Sequence, residues 1–197
     1  MAAVTCKYFT FAPVTSGGDG SAMVYAGGKM LNDYLAQVTI TENRGNAQEY
    51  ADGHLIDSET MPTSVTMEME LVNNNADIMD GVLGLTVSTT SGSETELVLK
   101  DSDAPFVGAG CVIQNRFKGA ISYTAYWLYK TQFTSGGVTA ATRRESTEWQ
   151  HETITGTSVG VSLSTSGDGT SFYAVRTGMA TEAAAIAWLK TKAGIST

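Results

Sequence analysis

The sequence predicts a mainly β fold: a β-sandwich or flattened barrel of two antiparallel sheets, flanked by one main α-helix. Three observations carry that expectation. Residues 63–71 alternate strictly, with Val65, Met67, Met69 and Leu71 on one face and Thr66, Glu68 and Glu70 on the other, the pattern of a half-buried antiparallel strand. Two strand-like runs flank Ser166-Gly167-Asp168-Gly169, and an Asp-Gly pair is a hairpin signal because both residues tolerate positive φ. Helical spacing recurs clearly only near the C-terminus, and a chain of 197 residues is long enough for one all-β domain with a substantial core.

The elements follow in order. Residues 34–42 alternate, with Ala36, Val38 and Ile40 facing one way and Gln37, Thr39 and Thr41 the other. Residues 48–57 read as a weaker strand bulged at Gly53. Asn73, Asn74 and Asn75 offer helix caps before a stripe of Ile78, Met79, Val82 and Leu83. Stretches 94–100 and 111–115 are short strands; 121–132 and 147–154 are stronger ones; 159–165 and 171–176 form the hairpin around Asp168-Gly169. The last element is a helix over 181–193. Thr181 caps it, Glu182 suits its positive end, Lys190 and Lys192 suit its negative end, and Gly194 stops it. Ile186 and Leu189 are expected inward, with Trp188 partly buried at the edge. Nothing separates domains, so residues 1–197 form one unit. It carries an N-terminal arm at about 12–22 and a long polar loop at about 134–146, a length that usually marks function or mobility. Both segments are expected to be loosely held in a lone subunit and to order on assembly.

Composition bounds the function. Hydrophobic residues make up 42% of the chain, with no run near the ~20 apolar residues of a membrane helix, so a soluble protein with no membrane contact is expected. No basic-then-apolar leader opens the sequence, and export by a signal peptide is not expected. Cys6 and Cys111 fit free thiols in a reducing compartment. The net charge of −8 is uneven: residues 1–100 hold four Lys and Arg against thirteen Asp and Glu, a balance of −9, while residues 101–197 hold eight against seven, +1. Such acidity opposes nucleic-acid binding, which needs cations to neutralise phosphate. It does not oppose nucleic-acid passage, because a wall of like charge repels DNA. The plainer reading is that −8 keeps a small domain soluble.

Catalytic and metal chemistry is hard to find. His54 and His151 stand far apart in sequence, outside any metal-ligand spacing, and read as solvated or hydrogen-bonded. There is no Gly-x-Ser-x-Gly, phosphate loop or zinc knuckle. Asp101-Ser102-Asp103 lacks the further oxygens of a calcium loop and reads as a turn before Pro105. Glu68 and Glu70 share a face, as a glycosidase pair does, but so do ordinary solvated glutamates, and no sugar-stacking aromatic is adjacent. Tyr123, Trp127 and Tyr129 share one strand face, with Tyr126 and Leu128 on the other; core packing plus a buried subunit contact explains them better than a ligand stack. No cofactor is implied.

One series of elements carries a family resemblance. A glycine-rich segment with a buried aromatic, Phe106-Val107-Gly108-Ala109-Gly110, precedes an aromatic strand ending in Tyr129-Lys130-Thr131-Gln132-Phe133. Then come Thr142-Arg143-Arg144-Glu145-Ser146 and a strand closing in Ile154-Thr155-Gly156. Upstream lie Tyr50-Ala51-Asp52 and a short helix ending Val82-Leu83-Gly84. In content and order, over roughly residues 20–190, this resembles the major tail tube proteins of long-tailed, non-contractile bacteriophages.

The resemblance implies a structural virion protein rather than an enzyme. Six copies would close a ring, and rings would stack into a hollow tail tube through which genomic DNA passes without specific binding. The implied partners are further copies of the chain, the tail terminator, the tail tip or initiator, and the tape measure protein. The location is the virion, and the host cytoplasm before assembly. The acidic face of Glu68 and Glu70, continued by Glu42, is expected to line the lumen. Thr142, Arg143, Arg144 and Glu145 are expected to contact a neighbouring subunit or ring. Two other readings stand beside this one. One is another β-sandwich assembly or binding module, such as a secretion-tube, baseplate or adhesin-like protein. The other is a hydrolase whose two acids converge in a pocket.

Overall fold

A computed structural model describes residues 2–52, 54–73, 75–91, 94–101, 103–137, 151–164 and 169–196. In chain order its elements are β1 (Ala2–Ser16), β2 (Val24–Tyr25), β3 (Lys29–Leu31), β4 (Leu35–Ala51), β5 (His54–Leu71), α1 (Ala76–Gly81), β6 (Thr86–Ser91), β7 (Glu94–Val98), β8 (Phe106–Phe117), β9 (Ala120–Ser135), β10 (Glu152–Ser158), β11 (Tyr173–Met179) and α2 (Glu182–Ala193). The mainly β class with a flanking helix is as the sequence predicts.

The layers are built differently from two separate sheets. One antiparallel sheet runs β2-β1-β8-β9-β10-β5-β4, with β3 added to β1 and β11 to β9. Strand β9 is the node. Its far edge is shared, with Tyr123 to Leu128 pairing β11 and Thr131 to Ser135 pairing β10. Strand β10 then pairs β5 on its other edge. That stitch makes the two layers halves of one sheet folded over itself. Between them lies a core of Phe9, Phe11, Met67, Met69, Leu128, Phe133 and Ile154, closed by Ile78 and Val82 around α1. The separate β6–β7 hairpin stands outside the sheet.

Local signals explain most elements. Asn75 caps α1, its side chain accepting from the Ile78 amide at 3.1 Å. Thr181 caps α2 by accepting from the Ala184 amide, and Gly194 closes it in the left-handed region at φ 66°. The inward face of α2 differs from the expected one. Ala185, Leu189 and Ala193 are buried against Val112, Ala125 and Trp127, and Trp188 packs partly buried beside them. Ile186 is only half-buried and outside that cluster, because one residue turns a helix about 100° and carries it off the 185–189–193 stripe. The close approach needs Gly110 on β8: a Cβ there would stand 2.9 Å from Leu189 Cδ2 and 2.3 Å from the Tyr126 carbonyl oxygen.

Three further expectations are corrected. Residues 48–57 are not one strand, since Ala51 pairs with His54 and the chain reverses there. Residues 14–21 are not a free arm. Val14 and Ser16 pair with Tyr25 and Val24; the Gly20 amide donates to the Ser162 carbonyl, and the Ser162 amide to the Gly18 carbonyl. Phe106 is not the buried aromatic of its glycine-rich segment. It is 38% exposed, with the Lys130 ammonium 4.8 Å above its ring, while Val107 and Ala109 are buried.

Candidate functional site: a polar sheet face and its rim

A regular surface is formed by the outer face of β4, β5 and β10. Residues opposite one another in an antiparallel ladder point to the same side, so register alone lays out its rows. Gln37 stands opposite Glu70 and Thr153, Thr39 opposite Glu68 and Thr155, and Thr41 opposite Thr66 and Thr157. This gives a three-by-three field holding six threonines, one glutamine and two carboxylates. The intervening rows point inward: Val38, Met69 and Ile154, then Ile40, Met67 and Gly156. Neither Lys nor Arg occurs on these strands between 35–43, 64–71 and 152–158. β-Branched threonine suits such a face, because it favours extended backbone and still offers water a hydroxyl.

Glu68 and Glu70 therefore sit where the alternation puts them, on the outer field. Glu42 does not. It is opposite Val65, and Val65 is opposite Ser158, so Glu42 belongs to an inward row at the rim of the core. There its carboxylate accepts from the Tyr173 hydroxyl at 2.5 Å and from Arg44 Nη2 at 2.6 Å. The three side chains border a cavity of about 270 Å³ that also touches Pro62, Val65 and Phe172. Hydrogen bonding from Tyr173, then from Arg44, holds the Glu42 carboxyl below the usual carboxylate range. The same bond pushes the Tyr173 phenol up to about 12. Both shifts move away from neutrality, so the pair is not tuned for proton exchange near pH 7. Its evident role is to tie β4 to β11 across the rim.

The remaining expected sites fall as follows. Thr142, Arg143, Arg144 and Glu145 lie outside the described residues. Ile154-Thr155-Gly156 and Phe133 meet directly: Phe133 is opposite Gly156, and a Cβ on Gly156 would stand 2.4 Å from that ring. Trp127 and Tyr129 pack under α2, and Leu128 points into the other core. His54 and His151 are exposed, and among the described residues no three His, Cys, Asp or Glu side chains gather as a metal site. Among the described residues no helix is long and apolar enough to cross a membrane.

A feature that sequence reasoning missed stands beside the polar field. The β4–β5 ladder continues past the core through 44–51 and 54–63, where every residue whose burial is described is exposed. Tyr50, Leu55, Ile56 and Met61 are each more than half exposed on it. The signal was present in Asp52-Gly53, an Asp-Gly pair like the one at 168–169. No protein-family model matches the chain, and no curated protein matches it.

Proposed function

We propose that this chain is a self-assembling structural protein whose copies close into rings, and whose rings stack into a hollow tail tube for DNA passage. The observation that carries the reading is the three-by-three field on an open-edged sheet. Strand β4 ends the sheet, and among the described residues no strand pairs with its outer edge; an open edge is a template for pairing with another chain. Joined edge to edge around a ring, the β4–β5–β10 faces form a continuous wall. A wall of threonine hydroxyls with Glu68 and Glu70 gives DNA phosphates nothing cationic to hold. Glu42 has no part in that wall; it fastens the rim of each subunit. The tail terminator, tail tip and tape measure protein are the partners this reading implies, and the virion is the place.

Electron microscopy of the concentrated protein, alone and with a tail-tip extract, tests it. Tubes of uniform width are expected, with Glu68 and Thr155 on the inner surface of a reconstruction. Tubes that carry this face outside, or a protein that stays monomeric under both conditions, would overturn it.

A further inference from the structure

We propose that the distal half of the β4–β5 hairpin is a docking arm, and that its occupant is the β8–β9 turn of a second copy of this chain. The proposal deepens the ring reading above and rests on it for the symmetry of the contact.

The arm is poorly suited to stand alone. A two-stranded hairpin without a third strand or a packed face is marginal in water, and this one exposes four large apolar side chains. Register divides its faces. Gly45, Ala47 and Glu49 stand opposite Met61, Glu59 and Asp57 on one side. Glu49 and Asp57 are thus directly opposed like charges, a destabilising arrangement in a ladder, with Glu59 next along. Between 45 and 61 the chain holds four acids and neither Lys nor Arg. Among the described residues none of these acids makes an ion pair.

The β8–β9 turn has the opposite character. Lys118 and Gly119 turn the chain with φ of 49° and 86°, leaving Arg116 and Lys118 at the tip beside half-exposed Phe117 and Ile121. Among the described residues neither cation makes an ion pair. Glu182, the one carboxylate on α2, is held by Lys7 at 3.0 Å. A guanidinium fork and an ammonium with apolar flanks fit a face of three carboxylates ending in Met61.

Direction permits the match. In the row through Ser158, Thr131 of β9 lies on one side and Val65 of β5 on the other. From that row β9 runs back toward Ala120 and β5 back toward His54 in the same direction along the sheet. Both hairpins therefore project from the same end of the subunit. Cyclic copies keep one polarity along their axis, so the arm of one copy and the turn of the next lie at the same level.

Charge reversal tests this. Glu49→Lys/Asp57→Lys and Arg116→Glu/Lys118→Glu each set like against like, so each variant alone is expected to stay unassembled under conditions where the parent assembles. Mixed in equal amounts, every junction becomes attractive again and assembly returns. Circular dichroism and melting of each variant establish that the subunit is folded. Assembly of either variant alone, or a mixture that stays apart, overturns the docking. A second measurement is independent of tubes. In a Cys6→Ser background, Asp57→Cys mixed with Lys118→Cys should give a disulfide-linked pair about tenfold above an Asp57→Cys and Asp103→Cys control. A yield no higher than the control overturns the docking. If that link forms while the parent makes no tubes, the tube reading fails and the docking stands.

Discussion

The two halves of the β4–β5 hairpin share strands, pairing and backbone geometry, yet live in different solvents. In the proximal half, Val65, Met67, Met69 and Leu71 are buried and alternate with Thr66, Glu68 and Glu70. In the distal half the ladder persists through Ala47–Glu59 and Glu49–Asp57, and these four residues are exposed. A hydrogen-bonded ladder by itself says little about stability, because the unfolded chain bonds equally well to water. What separates the halves is apolar area removed from water.

Substitutions along β5 separate them most sharply. Met67→Ala removes a fully buried side chain and should destabilise the subunit by about 2–5 kcal/mol, read from denaturant or thermal unfolding. A loss below about 1 kcal/mol would mean that the proximal half is not core. Gly156→Ala comes next. Its new methyl meets the Phe133 ring, and overpacking of that kind costs about 1–3 kcal/mol; the smaller Phe133→Leu in the same chain should recover part of it.

A smaller effect is set by pH. Glu42 is held below the usual carboxylate range by Tyr173 and then Arg44, and Glu182 by Lys7 and then Tyr8. A depressed native pKa means that the native state binds fewer protons than the unfolded one. The stabilisation is therefore complete above the unfolded value of about 4.3 and drains away as pH falls below it. On the alkaline side the raised Tyr173 phenol reverses the sense: its contribution holds below about pH 10 and is lost as pH rises through about 12. Tyr173→Phe should flatten both limbs of a melting-temperature profile, and an unchanged profile would show that the rim tie is not made in solution. The smallest effect belongs to Met61→Ala on the distal half, expected within about 0.5 kcal/mol for the lone subunit. Hydrogen exchange should draw the same boundary, with amides of 65–71 protected and those of 54–61 exchanging by local opening.

How much of this was legible follows from parity. The β5 alternation is unbroken from Val65 to Leu71, and the four apolar residues it predicts to face inward are buried. Alternation likewise places Glu42 with Val38 and Ile40; grouping it with Glu68 and Glu70 followed charge instead of position. Strand β1 was not readable at all, because the register slips between Lys7 and Thr10 around Tyr8, whose φ is 59°. Cys6 and Phe9 then share a side across an odd spacing, and a period of two disappears. A similar slip in β9 puts Leu128 and Phe133 on one face. The docking arm was hidden for another reason: exposed on both faces, it has no hydrophobic period to read.

The long reach of β1 bears on how the subunit is made. Phe9 and Phe11 end in the core, but β1 finds its main partner only in β8, where Phe11 stands opposite Ala109. At a synthesis rate of roughly 5–20 residues per second, that partner emerges on the order of 5–20 s after the aromatics do. Pairings so distant in sequence also slow the closing step itself. The β4–β5 hairpin needs no such wait, since its strands adjoin across a tight reversal. During biosynthesis the strands of the arm thus emerge before the core that makes a subunit of it, and a newborn chain passes through an interval in which its arm can meet the turn of a finished copy too early.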